Sequence, residues 1–190
     1  MTSPKEVEIK FRIDDRRALE RRLRAAGFRL RTRPTHEMNT LYDLPDLALR
    51  RRGELLRLRR YGRKWTLTHK SPAEIGRHKT RVEIETEVGD GGKLDAVLRA
   101  LGFLPTFRYE KFRSEWTDGK GHVVVDETPI GDLAEIEGPP KWIDRVAKKL
   151  GVAPGDYITD SYAGLFFKWK NQTGSKAEEM TFRAVGTRLR

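Results

Sequence analysis

"EVEIKF", residues 6–11, alternates without a break: Glu6, Glu8 and Lys10 fall on one parity, and Val7, Ile9 and Phe11 on the other. Successive side chains of a strand point to opposite faces. The stretch therefore builds a strand with one apolar face and one fully charged face. A charged face has two destinations, bulk solvent or a polar interior, and the remaining strands bear on the choice.

The same alternation recurs along the chain. Leu56 and Leu58 oppose Arg57 and Arg59, and Val82 and Ile84 oppose Arg81, Glu83 and Glu85. Phe112 opposes Lys111 and Arg113, although Phe107 and Tyr109 share the charged side. Val123 and Val125 oppose Asp126, and Ile136 opposes Glu135 and Glu137. A solvated sheet face accounts for any one of these strands. It accounts less well for the set, in which carboxylates gather on some strands and cations on others, in doublets two residues apart. A closed barrel places the apolar parity outward, under helices, and the charged parity around a polar cavity. Inward arginines and lysines repel one another without an anion, and arginine forks match phosphate oxygens. Carboxylate doublets suit hard divalent cations that bridge to phosphate. Acids and bases in one cavity point to a metal–polyphosphate complex.

A repeat supports a single closed body. "EIKFRIDDRRALERRLRAAGF" from Glu8 and "EIETEVGDGGKLDAVLRALGF" from Glu83 align without a gap at an offset of 75 residues. Each reads as strand, turn, helix, strand. Asp14 or Asp15 caps the first helix and Gly27 ends it; Gly102 ends the second. Neither half carries enough apolar residues for a core of its own. The expected domain is residues 1–170, with two pseudo-symmetric halves, followed by a loose polar tail over 171–190. Further strands are expected over 55–61, 64–70, 79–88, 108–116, 122–127 and 133–137. One helix is expected to open at "GPPKW", with Pro139 or Pro140 in its first turn, and another over 161–170.

Composition narrows the partners. The chain has 190 residues, 37% hydrophobic and 35% charged, with a net charge of +11. Such a balance attracts polyanions. There is no cysteine, which excludes disulfides, thiolate metal sites and a cysteine nucleophile. His36, His69, His78 and His122 are scattered, without zinc-ligand spacing. No apolar signal core or membrane-length run is seen, and a cytoplasmic protein is expected. "LRRRGELLRLRR" has the composition of a nucleic-acid patch, but its second half alternates with leucine, which favours inward arginines. One aromatic near a cavity mouth is a candidate for contact with a base, without a choice among them.

In their order and spacing these stretches resemble the CYTH superfamily, the triphosphate tunnel metalloenzymes, from about Glu6 to about Leu165. "EVEIKF" resembles the E-x-E-x-K signature, "LLRLRR" the arginine strand, and "LTHKSP" the lysine strand. "RVEIETEV", "KFR", "VVVDE" and "AEIEG" are similar to the motifs that follow. The resemblance implies an α+β fold: an eight-stranded antiparallel β-barrel forming a tunnel, with helices outside. It implies that Glu6, Glu8, Asp126, Glu135 and Glu137 serve a Mg²⁺ or Mn²⁺ site. Lys10, Arg57, Arg59, Lys70, Lys111 and Arg113 would hold the triphosphate, with Asp126 and Lys111 at the reaction itself and Glu83 and Glu85 supporting the cations. The implied substrate is ATP, tripolyphosphate or thiamine triphosphate. No nucleic acid or membrane partner is expected, and a homodimer is left open.

The reaction stays open between two branches. "LTHKSP" and "SYAGLF" look most like class IV adenylyl cyclases. The chain departs from that pattern in lacking a His-Phe pair before Glu6 and in carrying Asn39 where the family often has aspartate. Hydrolysis of a terminal phosphate is the alternative. A noncatalytic binder of polyphosphate or RNA, using the +11 charge outside the tunnel, is the rival of a different class.

Overall fold

The structure is a computed structural model and describes residues 5–187. In chain order the elements are β1 (Lys5–Arg12), α1 (Arg16–Ala25), β2 (Arg29–Asp43), α2 (Ala48–Arg51), β3 (Leu55–Tyr61), β4 (Lys64–Lys70) and β5 (Glu74–Ile75). They continue with β6 (Lys79–Val88), α3 (Gly91–Ala100), β7 (Leu104–Thr117), β8 (His122–Glu127), β9 (Leu133–Glu137), α4 (Pro140–Leu150), α5 (Tyr162–Thr173) and α6 (Phe182–Val185). The sheet runs β1-β9-β8-β7-β2-β3-β4-β6, and β1 pairs back onto β6. Closure leaves an eight-stranded antiparallel barrel, as the family resemblance implied. β5 is a two-residue strip paired to β6 outside the ring.

The repeat is visible in the caps. Asp15 accepts from the Ala18 amide and Asp90 from the Lys93 amide, each at the start of its helix. Gly27 and Gly102 turn the chain at φ of 90° and 89°, a conformation that favours glycine. In both turns the next phenylalanine amide returns to a helical carbonyl, Phe28 to Leu23 and Phe103 to Leu98, each at 3.0 Å. On the closing seam Glu6 faces Arg81, and these two residues are themselves one repeat apart. A pseudo-twofold axis thus passes through the seam. β2 and β7 pair along most of their length, with register shifts near Leu30, Thr32 and Leu41. Such irregularities bend strands and help close a barrel.

The outer wall is covered unevenly. On one side Ile9, Phe11, Trp116, Val123, Val125 and Ile136 pack under Leu19 and Leu23 of α1 and under Trp142, Ile143, Val146 and Leu150 of α4. Pro140 sits in the first turn of α4, and Gly151 ends that helix with φ 76°. On the opposite side the buried cluster is small: Tyr42, Leu58 and Leu98 of α3, with Leu56, Trp65 and Leu67 half-buried around them. A third cluster joins Phe107, Tyr109 and Leu133 to Tyr162, Leu165 and Phe166 of α5.

Of the tail expected to be loose over 171–190, the described part is anchored, and residues 188–190 lie outside the described residues. Met180 is fully buried, and its backbone exchanges hydrogen bonds with Arg108 and Glu110, each 3.0 Å. The Phe182 amide donates to the Glu110 carboxylate at 2.7 Å. One buried methionine in a polar stretch makes no period, so composition alone hides this contact. Among the described residues no helix is long and apolar enough to cross a membrane.

Candidate active site

The barrel encloses a cavity of about 450 Å³ lined chiefly by the charged parity of its strands. Of the residues singled out from the sequence, Glu6, Glu8, Lys10, Arg57, Arg59, Lys70, Glu83, Glu85, Lys111, Arg113, Glu135 and Glu137 line it together. Asp126 does not line it; it is fully buried beneath Lys111 and Arg113. Strand pairing explains the convergence. Lys10 faces Glu135 and Glu8 faces Glu137 across β1 and β9, while Lys70 faces Glu83 across β4 and β6.

The charges are paired in an ordered way. Lys10 contacts Glu135 at 2.5 Å. Lys70 donates to Glu6 at 2.8 Å and lies 2.6 Å from Glu83. Lys79 donates to Glu8 at 2.9 Å, and Arg81 to Glu6 at 3.3 Å. Arg113 grips Asp126 bidentately at 2.7 and 2.6 Å and reaches Glu135 at 2.5 Å. Lys111 donates to Asp126 at 3.0 Å. Arg59 donates to Glu85 at 3.0 Å, and Arg57 to Thr68 at 3.2 Å.

Burial and pairing compete at each group. Burial alone would lower Lys10 and raise Glu135. The carboxylates Glu135 and Glu8 more than offset this for Lys10, whose pKa lies above the ordinary lysine value. Lys10, Arg113 and Lys111 hold Glu135 well below the ordinary glutamate value. Glu137 behaves in the opposite way. Its side chain keeps contact with solvent, yet protein packed around it and then Glu6, Glu8 and Glu135 push it up to about 7.

Negative charge thus gathers around Glu137. Glu6, Glu8 and Glu137 supply hard oxygen donors. As the side chains stand, no three His, Cys, Asp or Glu residues among those described converge tightly enough to hold a metal. Glu6 and Glu8 are taken by Lys70 and Lys79, so metal loading requires these lysines to turn away. Asp126 and Glu135, also expected as metal residues, are held here by Lys111, Arg113 and Lys10.

The CYTH domain model matches residues 4–162. This chain belongs to the CYTH family. A Methanocaldococcus jannaschii protein named "Putative adenylate cyclase" is 29% identical over 171 residues, covering 84% of this CYTH chain and 97% of its own. The X-ray structure of a "putative adenylate cyclase" from Vibrio parahaemolyticus superposes with a TM-score of 0.77 at 20% identity, covering 87% of this chain and 99% of that one. A Hippeastrum protein, described as a "putative adenylyl cyclase" with a dominant triphosphatase activity, gives a TM-score of 0.65 at 20% identity over 86% and 95% of the two chains.

Four residues of this CYTH tunnel were not assigned from the sequence. Lys79 and Arg81 share the charged parity of β6 with Glu83 and Glu85, so the alternation is signal enough for both. Glu37 is fully buried. Burial would raise its pKa, but Lys111, Arg113, Arg59 and Arg57 lower it below the ordinary glutamate value. Asn39 donates to one Glu37 oxygen at 2.9 Å. The parity of β2 carries both residues, but the long bulged strand blurs the count. Tyr162 enters from α5. Its hydroxyl donates to Asp126, and the ammonium groups of Lys10 and Lys111 lie 4.8 and 4.1 Å from its ring centroid. No strand period reports a side chain delivered by a helix.

Proposed function

We propose that this CYTH protein binds a triphosphate inside the barrel and, with Mg²⁺ or Mn²⁺, converts ATP to cyclic AMP and pyrophosphate. The observation that carries the reading is the cavity itself. Lys10, Arg57, Arg59, Lys70, Lys79, Arg81, Lys111 and Arg113 face one space, each paired with a carboxylate rather than left to repel its neighbours. A triphosphate that takes Arg57, Arg59, Lys70 and Arg113 displaces their carboxylates. The freed acids then need a new cation, so triphosphate and metal bind as a mutually supporting pair. Glu6, Glu8 and Glu137 would hold the metal. When bound, a divalent ion neutralises phosphate oxygens and acidifies an attacking hydroxyl or water.

The chain's own residues do the rest. Arginine forks fix the phosphates and stabilise the charge that develops on the leaving group. Asp126, locked by Tyr162, sets the positions of Lys111 and Arg113. In the cyclase reaction the ribose 3′-oxygen bonds to the α-phosphorus, the bond from that phosphorus to the bridging oxygen breaks, and pyrophosphate leaves. The 3′-hydroxyl gives its proton to solvent or to the departing pyrophosphate. The name of the Methanocaldococcus relative supports this branch.

Hydrolysis is the alternative, with water attacking the terminal phosphorus. The same cations serve it, because its leaving group is also a phosphate. The description of the Hippeastrum protein shows that this fold is compatible with it. The test is product identification with ATP and Mg²⁺ or Mn²⁺, with tripolyphosphate and thiamine triphosphate in parallel. Cyclic AMP with pyrophosphate is the expected result. Release of orthophosphate selects the alternative. If all three compounds remain intact, the enzyme reading fails.

A further inference from the structure

The closing seam of the barrel has an attachment on the outside. β1 and β6 pair from Lys5–Val82 to Glu8–Lys79. The Glu8–Lys79 rung ends that ladder, and both of its side chains line the cavity. Lys79 donates to Glu8 there at 2.9 Å, and both residues are buried. Just before Lys79 the chain turns through Gly76, Arg77 and His78, the tip that joins β5 to β6. That tip rests on α4. Asp144 Oδ1 accepts from His78 Nε2 at 3.0 Å and lies 3.1 Å from Arg77 Nε. His78 and Lys79 are consecutive, so one points to the helix and the other into the cavity. Asp144 stands on a firm base. Ile143, Val146 and Ala147 beside it belong to the buried cluster that holds Ile9 and Phe11 of β1.

We propose that Asp144, outside the barrel, is a positioning residue for phosphate binding inside it: by holding His78 and Arg77 it fixes the start of β6, and with it the place of Lys79. The proposal rests on the triphosphate reading of the cavity. The last rung of a ladder has a paired neighbour on one side only, and such ends open at lower free energy than strand centres. Without the hold of α4, the tip and the first residue of β6 are free to move together. A lysine ammonium is a point charge on a flexible four-carbon stem, so its use to a phosphate depends on where the backbone delivers it. The Arg77 side chain is 57% exposed, and its share of the hold is small. The His78 side chain is 13% exposed and carries most of it. An ion pair that only stabilised the fold would not act through Lys79 in particular.

The experiment is a double-mutant cycle on the binding of tripolyphosphate. Calorimetry, without and with Mg²⁺, compares the wild type, Asp144→Asn, Lys79→Met and the double variant. Asp144→Asn is expected to weaken binding about tenfold, less than the roughly hundredfold that a misplaced group can cost. In the Lys79→Met background the same substitution is expected to change nothing further. With the triphosphate that is turned over, Asp144→Asn should raise KM more than it lowers kcat. His78→Ala cuts the same contact from the β6 side and takes the place of Asp144→Asn if that variant fails to fold. A dissociation constant equal to that of the wild type overturns the proposal and leaves the triphosphate reading standing. So does an equal loss in both backgrounds, which marks Asp144 as a general support of the fold. If the wild type binds no tripolyphosphate, with or without Mg²⁺, the triphosphate reading itself falls and the proposal with it.

Discussion

Ile9 and Ile84 occupy the same position in the two repeats, on the outer face of β1 and of β6. Ile9 is 1% exposed and Ile84 is 57% exposed. The next residues, Lys10 and Glu85, point inward. The Lys10 side chain is 3% exposed, and that of Glu85 is 33% exposed. One arc of the barrel is thus thick, covered outside by α1 and α4 and filled inside with buried ion pairs. The other is thin, covered by α3 with a small buried cluster, and wetter within. A duplicated unit does not impose a duplicated environment. The helix added after β9 decides which copy is buried, and burial decides how strongly its charges interact.

The sharpest way to break this comparison is to remove one charge from each arc. Asp126→Ala leaves Arg113, Lys111 and the Tyr162 hydroxyl without their shared partner. It is expected to destabilise the protein by about 3–5 kcal/mol, as for other half-removed buried pairs. Glu85→Ala is expected to cost less than about 1 kcal/mol. Denaturant unfolding of both variants measures the gap, and equal losses would contradict the asymmetry. The outer faces allow a parallel test by thermal or denaturant melts. Ile143→Ala in α4 opens a cavity in the large cluster and is expected to cost about 2–5 kcal/mol. Ile84→Thr is expected to stay within about 0.5 kcal/mol.

Activity should divide differently, because the thin arc still carries cavity-facing arginines. Arg57→Ala is expected to lower kcat/KM by about a hundredfold, the scale of losing one positioned charge stabiliser. Its melting temperature should move far less than that of Asp126→Ala. A steady-state assay with the triphosphate that is turned over settles it, and an unchanged kcat/KM would place Arg57 outside the reaction.

The smallest expected effect is on pH dependence without metal, and it has two opposite arms. Glu137 lies at about 7, above its ordinary 4.5. Its protonated form favours the fold, and that contribution is lost as pH rises from about 4.5 through about 7. Glu37 lies below the ordinary value. Its contribution is present above that value and is lost as pH falls through the lower, folded one. Glu137→Gln should flatten the neutral arm of a melting-temperature profile, and Glu37→Gln the acid arm. Added Mg²⁺ should raise the wild-type midpoint most above pH 7, where Glu137 is ionised. A neutral arm that survives in Glu137→Gln would assign it to another group.

Much of this was legible from local pattern. The parity of "EVEIKF" sorted inward from outward residues, and so did the parities around Arg57, Glu83, Lys111 and Glu135. Asp15 with Gly27 framed α1, and Gly102 ended α3, through backbone needs that act within a few residues. Arg81 was already on the charged parity, and Lys79 lay two residues before it on the same parity. Other features lay beyond that reach. Lys70 meets Glu6 across 64 residues, and which acid meets which base follows from register and closure, to which alternation is blind. Asp126 sits behind the cavity wall because Arg113 and Lys111 reach back to it. Tyr162 arrives on a helix, and the bare face at Ile84 exists because α4 packs on the other repeat. Periodicity is a property of neighbouring residues, so the sequence by itself determined the strands, their faces and the kinds of charge inside. Charge pairing and burial depend on distant segments meeting in three dimensions, and the tertiary structure alone decided them.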